Sequence, residues 1–194
     1  MLSTGSEPGR ALPIADGRTM RDELLRHLDS AYDLARWLSR NEHDARDIVQ
    51  ESFLRALRFS DQCRQETARP WLLQIVRNTC HTWLARNRRP NGESIEMLDQ
   101  VAASGSTSPE MILQRREDVT AVRRAIEMLP DEFREVIVLR EIEGLAYKEI
   151  AAITELPIGT VMSRLSRARE RLKEFLSNSR AADADADAEV TDEL

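Results

Sequence analysis

Thr160, the adjacent pair Ser163 and Arg164, Arg167 and Arg171 follow one another at intervals of three or four residues within LPIGTVMSRLSRARERLKEFL, positions 156–176. At about 100° per residue, that spacing gathers them on one side of a helix. Hydroxyls and guanidinium forks placed this way suit the base edges of a major groove, with the later basic residues meeting phosphate. Positions 157–173 hold five basic residues and one acidic residue, a charge of +4. A solvated basic face on a helical bundle is the plain alternative.

Two further faces have partners to find. In DARDIVQESFLRALR, the outward residues Asp47, Gln50 and Glu51 surround Leu54, with Arg55 and Arg58 beyond them. Positions 42–51 carry a charge of −3. An acidic helix repels nucleic acid and suits a basic protein surface, with Leu54 as the apolar centre of the contact. Positions 64–89 carry +5 and include Trp71, Asn78, His81, Thr82 and Trp83. Cations interleaved with aromatic and amide side chains suit single-stranded nucleic acid, where bases stack and backbone charge is neutralised. Core packing competes for both tryptophans and is the favoured reading of Trp83.

These faces need helices to carry them. The chain of 194 residues is 41% hydrophobic and 32% charged, with only seven glycines and seven prolines. This composition, with no strand alternation, predicts an all-α protein of two small helical domains joined by a flexible linker, the second containing a helix-turn-helix. The expected organisation is a disordered leader at 1–19, a first domain at 20–89, a linker at 90–109 rich in Pro, Gly and Ser, a second domain at 110–178, and a disordered acidic tail at 179–194. In the first domain one helix is read through RDELLRHLDSAYDLARWLSR, with Leu24, Leu25, Leu28, Ala31, Tyr32, Ala35 and Leu38 inward. A second has Ala45, Ile48, Val49, Ser52, Phe53, Ala56 and Leu57 inward, and a third starts at Pro70 and buries Leu72, Ile75, Val76, Thr79, Cys80, Trp83 and Leu84. In the second domain Pro130, Asp131 and Glu132 open a helix that Gly144 stops. A short helix then packs through Ile150, Ala151 and Ile153 against one whose inward face is Ile158, Val161, Leu165, Ala168 and Leu172.

The net charge of −6 resides in the tail, whose six acids have no base among them, so positions 1–180 are formally neutral. Local charge, not net charge, therefore assigns the partners. Cys63 and Cys80 are expected as reduced thiols, Cys80 as a small core residue. No metal site and no cofactor is expected. Catalysis is not expected either: the chain has no paired catalytic carboxylates, no nucleophile with its base and no phosphate-cradling glycine loop. No apolar run is long enough to span a bilayer, and no signal-peptide core begins the chain, so a cytoplasmic protein is expected.

The stretches DARDIVQESFLRALR, RPWLLQIVRNTCHTWLARNRR and LPDEFREVIVLREIEGLAYKEIAAITELPIGTVMSRLSRARERL, with SPEMILQRRE between them, resemble bacterial extracytoplasmic-function sigma factors of the sigma-70 family. The resemblance covers roughly positions 24–176. It implies an alternative sigma factor that binds core RNA polymerase and directs promoter-specific initiation. Asp47, Gln50, Glu51 and Leu54 would dock on the clamp coiled coil of the β′ subunit. Arg64 and Arg69, in the loop RQETARP that matches a flipped-base pocket, would join Asn78, Arg88 and Arg89 at the −10 element. Thr160, Met162, Ser163, Arg164, Ser166, Arg167 and Arg171 would read the −35 element as duplex, with the second domain also packing on the β flap. Met162 stands where a basic residue is frequent in the family, which leaves the −35 sequence open. The resemblance further implies an anti-sigma factor, often membrane-tethered, that covers both domains. The rival readings are a helix-turn-helix regulator that works without core polymerase and a sigma mimic that titrates an anti-sigma factor.

Overall fold

The computed structural model describes residues 17–64, 67–87 and 109–191, and all of the regular structure among them is helical. The first bundle contains α1 (Gly17–Arg26), α2 (Leu28–Ser39), α3 (Glu42–Arg58), a 3-10 turn (Ser60–Gln62) and α4 (Ala68–Asn87). The second contains α5 (Pro109–Met128), α6 (Asp131–Ile137) extended by a π turn (Val138–Ile142), α7 (Tyr147–Thr154) and α8 (Ile158–Thr191).

Local chemistry explains most boundaries. Arg40 adopts φ 55 and ends α2, its N–H bonding Arg36 O at 2.9 Å. Asn41 then caps α3, its Oδ1 accepting the Asp44 N–H at 3.0 Å and satisfying one orphan donor of the first turn. Glu42 and Asp44 begin α3 while Arg55 and Arg58 end it, the order the helix dipole favours. Pro70 sits in the first turn of α4 and Pro109 at the first position of α5, where a missing N–H costs little. The π turn closes through Glu143 N–H to Val138 O, and Leu145 N–H reaches back to Leu139 O, both at 3.0 Å. Between them Gly144 takes φ 65, a conformation that favours glycine.

In the first bundle α2, α3 and α4 pack pairwise around Leu34, Ile48, Leu72, Leu73 and Val76. Ala31, Ala35, Ala45, Ala56 and Ala68 are also buried, and their small side chains let helix backbones approach closely. In the second bundle α8 lies across α5, α6 and α7, burying Val161, Leu165 and Ala168 against a core that includes Phe133, Val136, Ile137, Ile150 and Ile153. Arg134, wholly buried, ties the α5–α6 corner by donating to the Ile126 and Leu129 carbonyls and to Asp131. The two cores join into one buried cluster because α4 packs on α7 and α2 on α6.

Three expectations change. The single helix expected at the start of the first domain is broken at His27, which takes φ −104 and ψ 14. The break shifts the phase, so Met20, Leu24 and Leu34 are buried while Leu25 and Leu28 face out. Ile158, expected inward, is 41% exposed because it begins α8 ahead of the turn that meets the core. Trp83 packs against the core as expected, although it is only partly buried. The tail expected to be disordered continues α8 as far as Thr191. It adds to an existing helix, so no nucleation is needed, and alanine at alternate positions is the best helix former. The leader at 1–16 and the linker from 90 to 108 lie outside the described residues.

Candidate nucleic-acid and protein-docking faces

The turn between α7 and α8 is set by backbone chemistry. Glu149 begins the arrangement by accepting the Ala146 N–H at 2.7 Å, which fixes the start of α7. Glu155 then adopts φ 57, and its N–H bonds Ala151 O. Pro157 O accepts the Thr160 and Val161 N–H groups at 2.9 and 3.1 Å, which launches α8. With Val161, Leu165 and Ala168 inward, the helical period turns Ser163, Ser166, Arg167 and Glu170 farthest from the core. All four are exposed, and Met162, 53% exposed, lies on one flank.

The candidate duplex-reading residues thus fall into two groups. Arg167 has no partner among the described residues and projects freely. Arg164 is held by Glu132 of α6 at 2.9 Å, and the Arg171 guanidinium lies 4.8 Å above the centre of the Phe133 ring. Thr160, on the same flank, is half-buried, and its carbonyl accepts the Ser163 hydroxyl at 3.0 Å. Arg169, not among the sequence candidates, bonds Glu141 at 2.7 and 3.1 Å. Hydrogen bonds to Glu141 and Tyr147 raise its already high pKa.

On α3 the structure brings the docking candidates together. Asp47, Gln50, Glu51 and Leu54 occupy consecutive turns of one face, the side opposite Ala45, Ile48, Val49 and Ser52. Leu54 is 60% exposed, a large apolar side chain ringed by polar ones. Glu51 pairs with Arg55, while Asp47 and Gln50 are exposed without a partner among the described residues. Phe59, exposed at the end of α3, adds an apolar side chain that the helical pattern did not single out.

The basic face of α4 is divided. Arg64 and Asn78 are exposed, and Asn78 Oδ1 accepts from Arg77 Nη1 at 3.2 Å. Arg69 turns instead to the second bundle, bonding the Glu143 carboxylate at 2.6 Å, the Glu143 carbonyl at 2.8 Å and Ser30 Oγ at 3.3 Å. Arg77 Nε donates to Glu135 Oε1 at 2.7 Å, and His81 Nε2 lies 3.1 Å from the same oxygen. Burial alone would push the Glu135 carboxyl up. The hydrogen bonds from His81 and Arg77, with the Arg77 charge, outweigh it and hold the group below its ordinary range. Glu135 and Glu143 were not singled out in the sequence, where each is one more helical acid, because their partners lie 54–74 positions away. Arg88 and Arg89 lie outside the described residues.

Cys80 is fully buried, and burial followed by the Glu135 charge pushes its thiol up to about 12, which makes it a core residue and not a nucleophile. Cys63 is buried as well, and desolvation raises its thiol too. Among the described residues no group of three or more His, Cys, Asp or Glu side chains is placed to hold a metal ion. No helix among them is long and apolar enough to cross a membrane.

Residues 24–90 match the family described as Sigma-70 region 2, and residues 120–172 the one described as Sigma-70, region 4. The ECF RNA polymerase sigma factor SigE of Mycolicibacterium smegmatis is 39% identical over 158 residues, which are 80% of this chain and 61% of that protein. The ECF RNA polymerase sigma-E factor of Salmonella typhimurium is 40% identical over 137 residues, 66% of this chain and 72% of the relative. Among solved structures, the sigma factor RpoE in complex with the anti-sigma factor NepR, from Bartonella quintana, matches with a TM-score of 0.69 and 28% identity over 82% of this chain and 98% of that one. CnrH in complex with the cytosolic domain of CnrY matches with a TM-score of 0.61 and 27% identity, covering 84% and 91%.

Proposed function

The chain belongs to the extracytoplasmic-function sigma factors of the sigma-70 family, alternative sigma factors that direct transcription initiation, and from that premise we propose a division of labour among its faces. The acidic stripe of α3 docks on a basic surface of core RNA polymerase, the clamp coiled coil of β′, with Leu54 as its desolvated centre. The exposed outer face of α8 reads the −35 duplex through Arg167, Ser163, Ser166 and Met162, while Arg164 and Arg171, positioned by Glu132 and Phe133, meet phosphates. Asn78 and Arg64, with Arg69 once it is released, hold the unpaired −10 strand. Positions 90–109 connect the two readers, and tethering gives two weak sites a high effective concentration for each other. The chain works by binding and positioning, with no bond made or broken.

The observation that carries this reading is the separation of opposite charges onto two outer faces, one on each bundle. The two solved neighbours are sigma factors held by anti-sigma factors. An anti-sigma factor for this chain, cytoplasmic or tethered at the membrane, is part of the proposal, as is a cytoplasmic site of action. The test is run-off transcription by sigma-free core enzyme on a promoter library. Initiation at a defined subset of promoters, only when the chain is added, is the expected result. Binding of free duplex with no gain on adding core would favour a stand-alone regulator, and no initiation anywhere would refute the proposal.

A further inference from the structure

Two large apolar side chains lie exposed where α8 begins, on a helix whose outer face is otherwise hydroxyls and charges. Ile158 opens the helix and Met162 follows one turn later, 41% and 53% exposed. Residues four apart on a helix are neighbours, so the two form a short apolar stripe. Val161, Leu165 and Ala168 fix the inward direction, and the helical period then places Met162 about 90° from it, with Ser166 one turn further along the same side. Thr160, Arg164 and Arg171 fall on the opposite flank, which α6 covers through Glu132 and Phe133. The nearest cation on Met162's own flank is Arg169, two turns on, and Glu141 holds it at 2.7 Å. The start of α8 therefore meets a partner on that flank through apolar surface. Gly159 precedes Met162 by three positions, and a Cβ built there would meet nothing within 4 Å. A long helical side chain lies back over the turn before it. The thioether of Met162 thus extends over Gly159, toward the end of the helix that enters a groove.

The major groove offers donors and acceptors on every base pair but only one apolar group, the 5-methyl of thymine. A thioether donates no hydrogen bond and accepts one weakly, so against the other base edges it leaves polar groups desolvated and unanswered. Against a methyl it removes apolar surface from water on both sides. We propose that Met162 determines one base of the upstream element, selecting thymine by contact of its side chain with the 5-methyl group. The proposal rests on the reading of α8 as the −35 helix and names a base within the element that reading leaves open. Because the contact carries no charge, it specifies sequence without adding to the ionic attraction for phosphate.

The test uses holoenzyme assembled from core enzyme and the full-length chain. The promoter library first yields the preferred −35 element. Each thymine of that element, on either strand, is then replaced in turn by deoxyuridine, which differs only in lacking the methyl, and fluorescence anisotropy gives the affinity of holoenzyme for each labelled duplex. One position is expected to lose about fourfold with the wild-type chain, the worth of one methyl-sized group taken from water. Met162→Ala should bind the thymine duplex more weakly than wild type and lose nothing further when the methyl is removed. Met162→Leu should keep most of the methyl sensitivity. Both substitutions fall at an exposed position, so the fold tolerates them. Salt provides an independent readout: Met162→Ala leaves the slope of log affinity against log salt unchanged, whereas Arg164→Ala reduces it by about one. A selected element with no thymine on either strand, or one in which no deoxyuridine substitution weakens wild-type binding, overturns the inference. So does methyl sensitivity that persists in Met162→Ala, which assigns the methyl to another residue. Initiation with no −35 preference at all defeats the reading of α8 itself, while a firm −35 preference without a Met162-dependent methyl effect defeats only this inference.

Discussion

Arg167→Ala removes a guanidinium that no other group among the described residues engages. Its exposure and lack of partner mean that the fold loses almost nothing, within about 0.5 kcal/mol as for ordinary surface positions. On duplex DNA the loss is larger. A guanidinium fork on a base edge supplies about 1–3 kcal/mol of discrimination, which is roughly 5- to 150-fold in binding. Arg164→Ala makes the informative contrast. It also breaks the partly exposed pair with Glu132, an interaction of about 0.2–1 kcal/mol, so it combines a small stability loss with a mainly sequence-independent loss of affinity. The assay is run-off transcription with core enzyme on two templates, one with an intact −35 element and one with that element scrambled, alongside a titration of core binding. Arg167→Ala should depress only the intact template, with core affinity and melting temperature unchanged. An equal fall on both templates, or a weakened core complex, would refute the assignment of Arg167 to the upstream element.

Changing Asp47 and Glu51 together to Lys places like charge against the basic docking surface and should weaken core binding about tenfold or more in a competition titration; unaltered affinity would sink the docking assignment. Leu165→Ala empties a fully buried position between α8 and its neighbours and should cost about 2–5 kcal/mol by urea denaturation, with a loss under about 1 kcal/mol counting against the packing described. Acid should loosen the bundles through Glu135. Its carboxyl is held below the ordinary 4.5, so its stabilising share is complete above that value and disappears as the pH falls through the lower folded value. The melting-temperature gap between wild type and Glu135→Gln should therefore be wide at pH 6 and close at acid pH; a gap that widens on acidification would reverse the sign.

Much of the molecule follows from local rules. Recurrence of Ile48, Val49, Ser52 and Ala56, of Leu72, Val76, Thr79 and Cys80, and of Val161, Leu165 and Ala168 determines which side of each helix is buried, because a helix repeats its surface every 3.6 residues. The same period turns Asp47 with Leu54, and Ser163 with Arg167, toward solvent, so both outer faces are legible before any tertiary contact is known. Asn41, Pro70, Pro109 and Gly144 punctuate the chain through their own hydrogen-bonding and backbone limits. Phase is harder to read. Leu25 and Leu28 fit the period of an unbroken helix, and only the break at His27 turns them outward.

Partner choice was beyond local pattern altogether. Arg164 and Arg167 are the same residue three positions apart, yet one is held by Glu132 and the other has no partner among the described residues, because only the packing of α6 across α8 decides which flank is covered. Arg69, Arg77 and His81 carry no mark in the sequence that they face Glu143 and Glu135 and not open solvent. An amino-acid sequence states the charge each side chain carries and, through the helical period, the side on which it emerges. Which opposite charge waits there depends on how two bundles meet, and that is settled by shape and burial summed over residues far apart in the chain.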